Sequence, residues 1–277
     1  MHQLLILLAA LLGLPLVPAS TQASDPTVPP AWEPDVRAAR SYAAGRHGEI
    51  SFSVRTGDRR WERRPRVRVN TASVIKAMLL VAYLDQPTVR RRPLNASDRA
   101  LLAPMVRYSD NDTASRVRTL VGDAQIVRLA QRARMRDFEM APAWGLSQTT
   151  SADQARWFLR LFQLTPARHR AYALHLLETI VPEQRWGVAE VSPRGWTLHF
   201  KGGWGSGTGA VGHQAALLRR GRQRVALAIM TTGSPTHEYS QETLRGVAAR
   251  LVRGLADAPR RAPRARTAFT LRLAPAH

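Results

Sequence analysis

Cysteine is absent from the 277 residues. No disulfide, thiolate metal site, cysteine nucleophile or lipid-bearing cysteine can therefore form. Lysine is nearly absent too. Of 41 basic residues only Lys76 and Lys201 are lysine, and the other 39 are arginine. So strong a bias looks like a coding preference, which leaves each retained lysine in need of a chemical reason. Arginine keeps its proton near neutral pH, whereas a buried or charge-crowded lysine can release one. Acidic side chains are scarce, 20 against 41 basic ones, for a net charge of +21. The eight histidines have no metal-ligand spacing, and no metal or cofactor is expected; His199 and His213 fall on expected strands and read as structural. Zinc-finger spacing, a helix-turn-helix signature and an aromatic-glycine RNA-binding pattern are all missing, so nucleic acid is not the expected partner. The basic excess is assigned to a solvated surface or to contact with anionic wall polymers.

The apolar run Leu4 to Val17 is too short for a comfortable membrane span. Small residues follow at Ala19, Ser20, Ala23 and Ser24. Residues 1–24 are therefore expected to be a secretory signal, placing the chain outside the cytoplasm, secreted or wall-associated. Residues 25–34 form an expected proline-rich linker. Residues 35–257 form one expected domain, monomeric, and 258–277 an Arg- and Pro-rich disordered tail. With 44% hydrophobic residues the chain has enough material for one large core.

Periodicity supplies the elements. A helix is expected over 35–45. Ile50, Phe52 and Val54 alternate with polar residues as in a strand, Gly57-Asp58 makes a turn, and residues 60–62 return. Helices are expected over 73–84, 97–106, 113–121, 124–133, 151–162 and 172–180. Strands follow at 197–201, 212–218 and 225–230, with Gly221 in the last turn, and a closing helix covers 241–255. The expected fold class is α/β: an antiparallel sheet built from both chain ends, flanked by helices, with an inserted helical lobe. The crevice between sheet and lobe is the expected site.

Three short motifs carry chemistry. In Ser73-Val74-Ile75-Lys76 the spacing puts serine and lysine on one helix face, so the amine can reach the hydroxyl. Ser109-Asp110-Asn111 can present a hydroxyl and a carboxamide from a loop, or can simply cap the next helix. Lys201-Gly202-Gly203, followed by Trp204, ends a strand whose glycines let a substrate backbone lie close; a glycine-rich turn over 202–209 is the alternative. Each motif alone is common. Together they account for both lysines of the chain.

In order and separation the three motifs resemble those of the class A β-lactamase and penicillin-binding superfamily of active-site serine enzymes. The resemblance runs from about Gly48 to Leu255 and includes Tyr108, Thr149-Thr150 and Thr231-Thr232-Gly233. It implies that Ser73 is acylated, with Lys76 in the base network. Ser109 would pass a proton to the leaving nitrogen, and Asn111 would contact the substrate amide. Lys201 would orient Ser109 and attract a substrate carboxylate. The backbone N–H groups of Ser73 and Trp204 would form the oxyanion hole beside Gly202 and Gly203. The implied substrates are β-lactams or peptidoglycan-like amides. A wall- or protein-binding module on the same scaffold is the alternative.

Two departures stand out. The segment 134–148 is shorter than the family's Ω-loop, and its only carboxylates, Asp137 and Glu139, precede the place of the glutamate that activates the deacylating water. Gly202 stands where the family has Thr or Ser, with Ser206 or Thr208 as possible substitutes. Trp144-Gly145-Leu146 and Gln184-Arg185-Trp186-Gly187, with Trp204, resemble a subgroup of exported serine hydrolases from high-GC, actinobacterial-type genomes. These tryptophans either pack the two lobes or wall the cleft.

Overall fold

The alternation at Ile50, Phe52 and Val54 does produce a strand, and it lies deep: these three side chains are buried, and so are Ser51 and Ser53 on the opposite face. The computed structural model describes residues 32–257; the expected signal, residues 25–31 of the expected linker and the expected tail lie outside the described residues. In chain order the elements are α1 (Val36–Ala44), β1 (Glu49–Thr56), β2 (Arg59–Arg63), β3 (Val69–Asn70), α2 (Ile75–Leu84), α3 (Ala96–Ala103), α4 (Asn111–Val121) and α5 (Asp123–Arg132). There follow β4 (Gln148–Thr149), α6 (Ser151–Leu159), α7 (Leu161–Leu164), α8 (Arg170–Glu178), β5 (Thr197–Gly205), β6 (Val211–Arg220), β7 (Gln223–Thr232) and α9 (His237–Leu251).

The main sheet has the order β2-β1-β7-β6-β5, antiparallel throughout. Both chain ends build it, because β1 pairs with β7, with Phe52 opposite Ile229. Helix α9 packs on α1, β6 and β7, while α6 packs on β1, β6 and β7. The remaining helices make a lobe centred on α2, all ten of whose residues are buried. A helix apolar all round belongs in a core.

The boundaries differ from the sequence pattern for local reasons. The expected helix from Ser73 begins at Ile75, after a 3₁₀ turn over Ala72–Val74 that starts with Ala72 at φ 42°. The helix expected over 97–106 gives way at Pro104, which has no N–H to donate, to a π-helical turn Pro104–Tyr108. The helix expected over 151–162 breaks at Arg160, whose N–H is shared between the carbonyls of Arg156 and Trp157. The closing helix starts at His237, earlier than its apolar pattern, because Thr236 caps it by accepting from Tyr239 N–H, and it ends at Leu251. The body also reaches into the expected linker: Trp32 is buried, donates from Nε1 to Arg253 O (3.0 Å) and packs edge-on against Trp61. The ribbon β3–β4, with Val69 opposite Thr149, is too short to show any alternation in the sequence.

One buried carboxylate ties the short 134–148 segment to α6. Asp153, itself fully buried, accepts from the N–H groups of Arg136 (2.9 Å) and Asp137 (2.7 Å) and pairs at 2.6 Å with Arg156, whose side chain is largely buried. Removing one partner of such a buried pair costs about 3–5 kcal/mol. Asp153→Ala is therefore expected to lower the urea midpoint by that amount of stability with an unchanged slope; a loss within ~0.5 kcal/mol would contradict this role.

Candidate active site

Ser73 lies in the turn between β3 and α2, at 9% exposure. The turn is held from several sides. Thr71 N–H donates to Ser147 O (2.7 Å) and its hydroxyl to Trp144 O (3.1 Å). Asn70 Nδ2 donates to Thr208 O (3.0 Å), and buried His213 on β6 donates from Nε2 to Asn70 O (3.0 Å). His213 Nδ1 accepts from Thr231 N–H, which fixes this tautomer. Burial pushes its pKa down to about 4, so it stays neutral and structural, as its strand position implied. His199 is likewise buried, bonded through Nδ1 to Leu174 O and held below its ordinary pKa by burial.

The two lysines converge on one hydroxyl. Lys76 Nζ lies 3.2 Å from Ser109 Oγ and Lys201 Nζ lies 3.1 Å from it. Lys76 also donates to Ser109 O and to Asn111 Oδ1 (2.7 Å), and Lys201 to Gly202 O (2.9 Å). The three motifs thus meet in space. Ser109 adopts the left-handed conformation (φ 60°, ψ 31°), which turns both its oxygens toward the amines. Asp110 caps α4 by accepting from Thr113 N–H (2.7 Å), so the helix-cap reading of this motif holds together with the site reading. Among the described residues no hydrogen bond joins Lys76 to Ser73 directly, although their spacing predicts reach.

Neither amine has the environment of a surface lysine. Burial lowers Lys76 to about 8, with the Asp110 charge opposing. Lys201 is held well below its ordinary range by complete burial and then by the nearby Lys76. Two amines sharing a hydroxyl in a buried site cannot both be charged cheaply. A neutral lysine at this position can take a proton.

The edge strand β5 runs past the Ser73 turn, and the expected glycine turn is strand as far as Gly205. A Cβ on Gly203 would sit 2.8 Å from Ser73 N and 2.9 Å from Val74 N, so only glycine lets β5 approach this turn. Gly202 and Trp204 face the other way. A Cβ on Gly202 would meet the Trp186 ring at 3.4 Å, so the indole occupies the space that a Thr or Ser side chain would enter. Gln214 on β6 positions that ring's backbone: its Nε2 donates to Trp186 O (2.7 Å) and its Oε1 accepts from Val188 N–H (2.7 Å).

On the opposite wall stands Trp144. Its ring lies 4.9 Å from Lys76 Nζ, and its Nε1 donates to Ser115 Oγ (3.2 Å). Trp144 thus lines the larger cavity, while Trp186 is buried against Gly202, Trp204 and His237. Arg118 holds the segment beneath, donating to Pro142 O (2.6 Å) and Ala141 O (2.9 Å) while forking onto Asp123. The two carboxylates of the segment point away. Asp137 pairs with Arg66 at 2.6 Å, and Glu139 bonds Arg68 with a side chain 67% exposed. A cavity of about 860 Å³ opens between α4, residues 142–146 and the turn at Gly207 and Thr208. Gln214 and Arg118 escaped sequence reading, since single polar residues in strands and helices carry no motif.

Residues 89–255 match the model of the Beta-lactamase2 family, described as the beta-lactamase enzyme family. The chain belongs to that family and has the fold of its serine hydrolases. The β-lactamase of Sphaerobacter thermophilus DSM 20745 is similar at TM-score 0.69 and 17% identity, covering 82% of this chain and 98% of that one. The structure of PBP-A is similar at 0.67 and 15%, over 80% and 96%. The β-lactamase of Desulfarculus baarsii DSM 2075 is similar at 0.62 and 21%, over 77% and 97%. No curated protein matches significantly.

Gly203→Ala tests the close approach of β5. The added methyl is expected to push β5 off the Ser73 turn, cutting the rate of Ser73 modification by about 100-fold or more while the far-ultraviolet circular dichroism is kept. A rate within threefold of wild type (roughly 0.6 kcal/mol) would show that the approach has no part in catalysis.

Proposed function

We propose that the chain is an exported active-site-serine hydrolase or acyltransferase, acylated at Ser73 by β-lactams or peptidoglycan-like amides, and that its acyl-enzyme is long-lived. The observation that carries this reading is the Ser109 hydroxyl held between two buried amines, one of them on the strand whose Gly203 packs against the Ser73 turn. Ser73 Oγ attacks the substrate carbonyl and its proton goes to neutral Lys76. Catalytic hydrogen bonds of an unliganded site commonly tighten only when substrate binds, which accounts for the resting arrangement. Ser109 passes the proton to the leaving nitrogen, and Lys201 holds its hydroxyl in place. The N–H groups of Ser73 and Trp204 stabilise the oxyanion, and Asn111 receives the substrate amide.

Slow deacylation follows from the opposite wall. Attack on the acyl ester needs a base for water. Among the described residues the carboxylates of segment 134–148 are turned to surface arginines, and an indole lies over Lys76.

Intact mass after exposure to a penicillin, followed over time and against pH, is the test. The expected result is one adduct on Ser73, absent in Ser73→Ala and persisting far beyond the acylation time. The acylation rate should rise with a midpoint near 8, because burial lowers Lys76 and the neutral form is the base. Lys76→Ala should remove the midpoint and about 10²–10⁴ of the rate. Fast turnover lost in Ser73→Ala would sink the long-lived intermediate, and an unchanged rate in Lys76→Ala would sink the base.

The export part rests on the composition of residues 1–24, and wall contact on the +21 charge. Fractionation of expressing cells should recover a shortened chain outside the cytoplasm, with salt-sensitive retention on peptidoglycan. Full-length protein confined to the cytoplasm would end this part of the proposal.

A further inference from the structure

Three guanidiniums gather around one phenyl ring at the end of the sheet remote from Ser73. The guanidinium carbon of Arg224 lies 4.3 Å from the Phe162 ring centroid, that of Arg219 5.5 Å and that of Arg170 5.7 Å. They come from the start of β7, the end of β6 and the start of α8, while Phe162 lies on α7. Arg219 and Arg224 stand opposite one another in the β6–β7 pair. Arg219 is also opposite Thr197, where β5 begins, whereas Gly203, which packs on the Ser73 turn, lies near the other end of that strand. At the rise of a strand this puts the cluster roughly 20 Å from the serine turn.

Like charges so placed repel, and little within the protein offsets them. Asp153 and Glu62 are committed to Arg156 (2.6 Å) and Arg55 (2.8 Å). Glu178, the last residue of α8, makes no ion pair with Arg170 or Arg219, and among the described residues no other carboxylate does. Positive charge continues to Arg160, two residues before Phe162, and to Arg134. Burial holds Arg160 below its ordinary pKa, and the charges of Arg134 and Arg156 push it further down. Acceptors are short as well. Among the described residues Arg219 donates no hydrogen bond, and Arg170 has a single long one, to Thr165 O at 3.4 Å, while its buried Nε has no acceptor. The oxygens of an anion would supply the missing charge and acceptors for the terminal N–H groups.

We propose that this arginine cluster is a binding site for an anionic wall polymer of phosphate diesters joined by small polyols, which tethers the protein and leaves its serine end open. The proposal rests on the export and wall contact proposed above, and gives that contact a place and a chemistry. It does not depend on acylation of Ser73. The fork of a guanidinium matches the oxygens of a phosphate in pairs. A set of cations running from Arg134 and Arg160 to the Phe162 cluster suits a repeated charge better than one small anion. Nucleic acid fits less well, because bases stack on open aromatic faces and the Phe162 ring is flanked by guanidiniums. A bilayer fits less well too. The exposed large apolar side chains among the described residues are Tyr108, Leu120 and Leu146, none of them on α7, α8, β6 or β7.

The test is binding of the purified full chain to a fluorescent poly(glycerol phosphate) over a salt series, with no acyl donor present. Affinity is expected to fall linearly on logarithmic axes as salt rises. Arg170→Gln/Arg219→Gln should weaken binding about tenfold near physiological salt and flatten that slope by roughly one to two. Arg37→Gln/Arg128→Gln removes the same charge from exposed positions on α1 and α5 and should stay within about twofold. Equal losses in the two pairs would overturn the site, leaving net charge alone as the cause. Arg219→Gln breaks no hydrogen bond, so it serves if the double variant is not folded by circular dichroism; it should cost about threefold, and no loss overturns the proposal. Polyglutamate bound as tightly as the phosphate polymer would overturn the ligand class. Tighter binding of single-stranded DNA or of anionic phospholipid vesicles at equal phosphate, lost in the same variants, would give the cluster to those partners and overturn the wall polymer. Fractionation reports the export reading separately, and a chain confined to the cytoplasm removes the wall as the source of the ligand. Acylation of Ser73 is read by mass and neither supports nor weakens this site.

Discussion

Two amines are buried around a single hydroxyl, and much of the structure is arranged to make that tolerable. A charged amine in a protein interior is costly unless every N–H finds an acceptor or the proton is given up. Here both routes are used. Lys76 has Ser109 O, Ser109 Oγ and Asn111 Oδ1 as acceptors, and burial brings it to about 8. Lys201 has two acceptors, and its complete burial also favours the neutral form. The left-handed Ser109, the π-helical turn before it and the Asp110 cap after it all position those acceptors. The same environment that makes the amines expensive to protonate makes them chemically useful.

The second constraint is steric. Gly203 lets the edge strand touch the serine turn, and Gly202 makes room for an indole. Thr71, Asn70 and His213 then hold the turn from the other sides. Around this frame the walls are aromatic, with Trp144 over Lys76 and Trp186 over Gly202. The two amines and the Ser109 hydroxyl thus sit among aromatic side chains, Trp144 on one side and Trp186 with Trp204 on the other.

Most of the fold could be read from the sequence because its elements are long and strongly patterned. The five-stranded sheet from both chain ends and the helical lobe between them follow from periods of 2 and 3.6. What escaped was short or driven by distant contacts. The two-residue ribbon Val69–Asn70 with Gln148–Thr149 has no periodicity to see. The break at Arg160 and the early start of α9 depend on single hydrogen bonds and a cap. Trp32 joins the body through Arg253, 221 residues away.

The same division applies to the site. Sequence alone singled out the residues that meet in the site, because the two lysines among 39 arginines each stand beside a serine or glycine motif, and the motifs follow one another in a familiar order. Their arrangement was decided by tertiary structure. Ser109 comes to both amines because α2, the π-helical turn and β5 converge, and the sequence separations of 33 and 92 residues contain no trace of that meeting. Whether Trp144 and Trp186 pack lobes or wall the cleft depends on Ser115, Gln214 and Gly202, which only the fold brings beside them. Side-chain identity is local, but proton affinity, access of water and space for a substrate group depend on what the fold brings within a few ångströms.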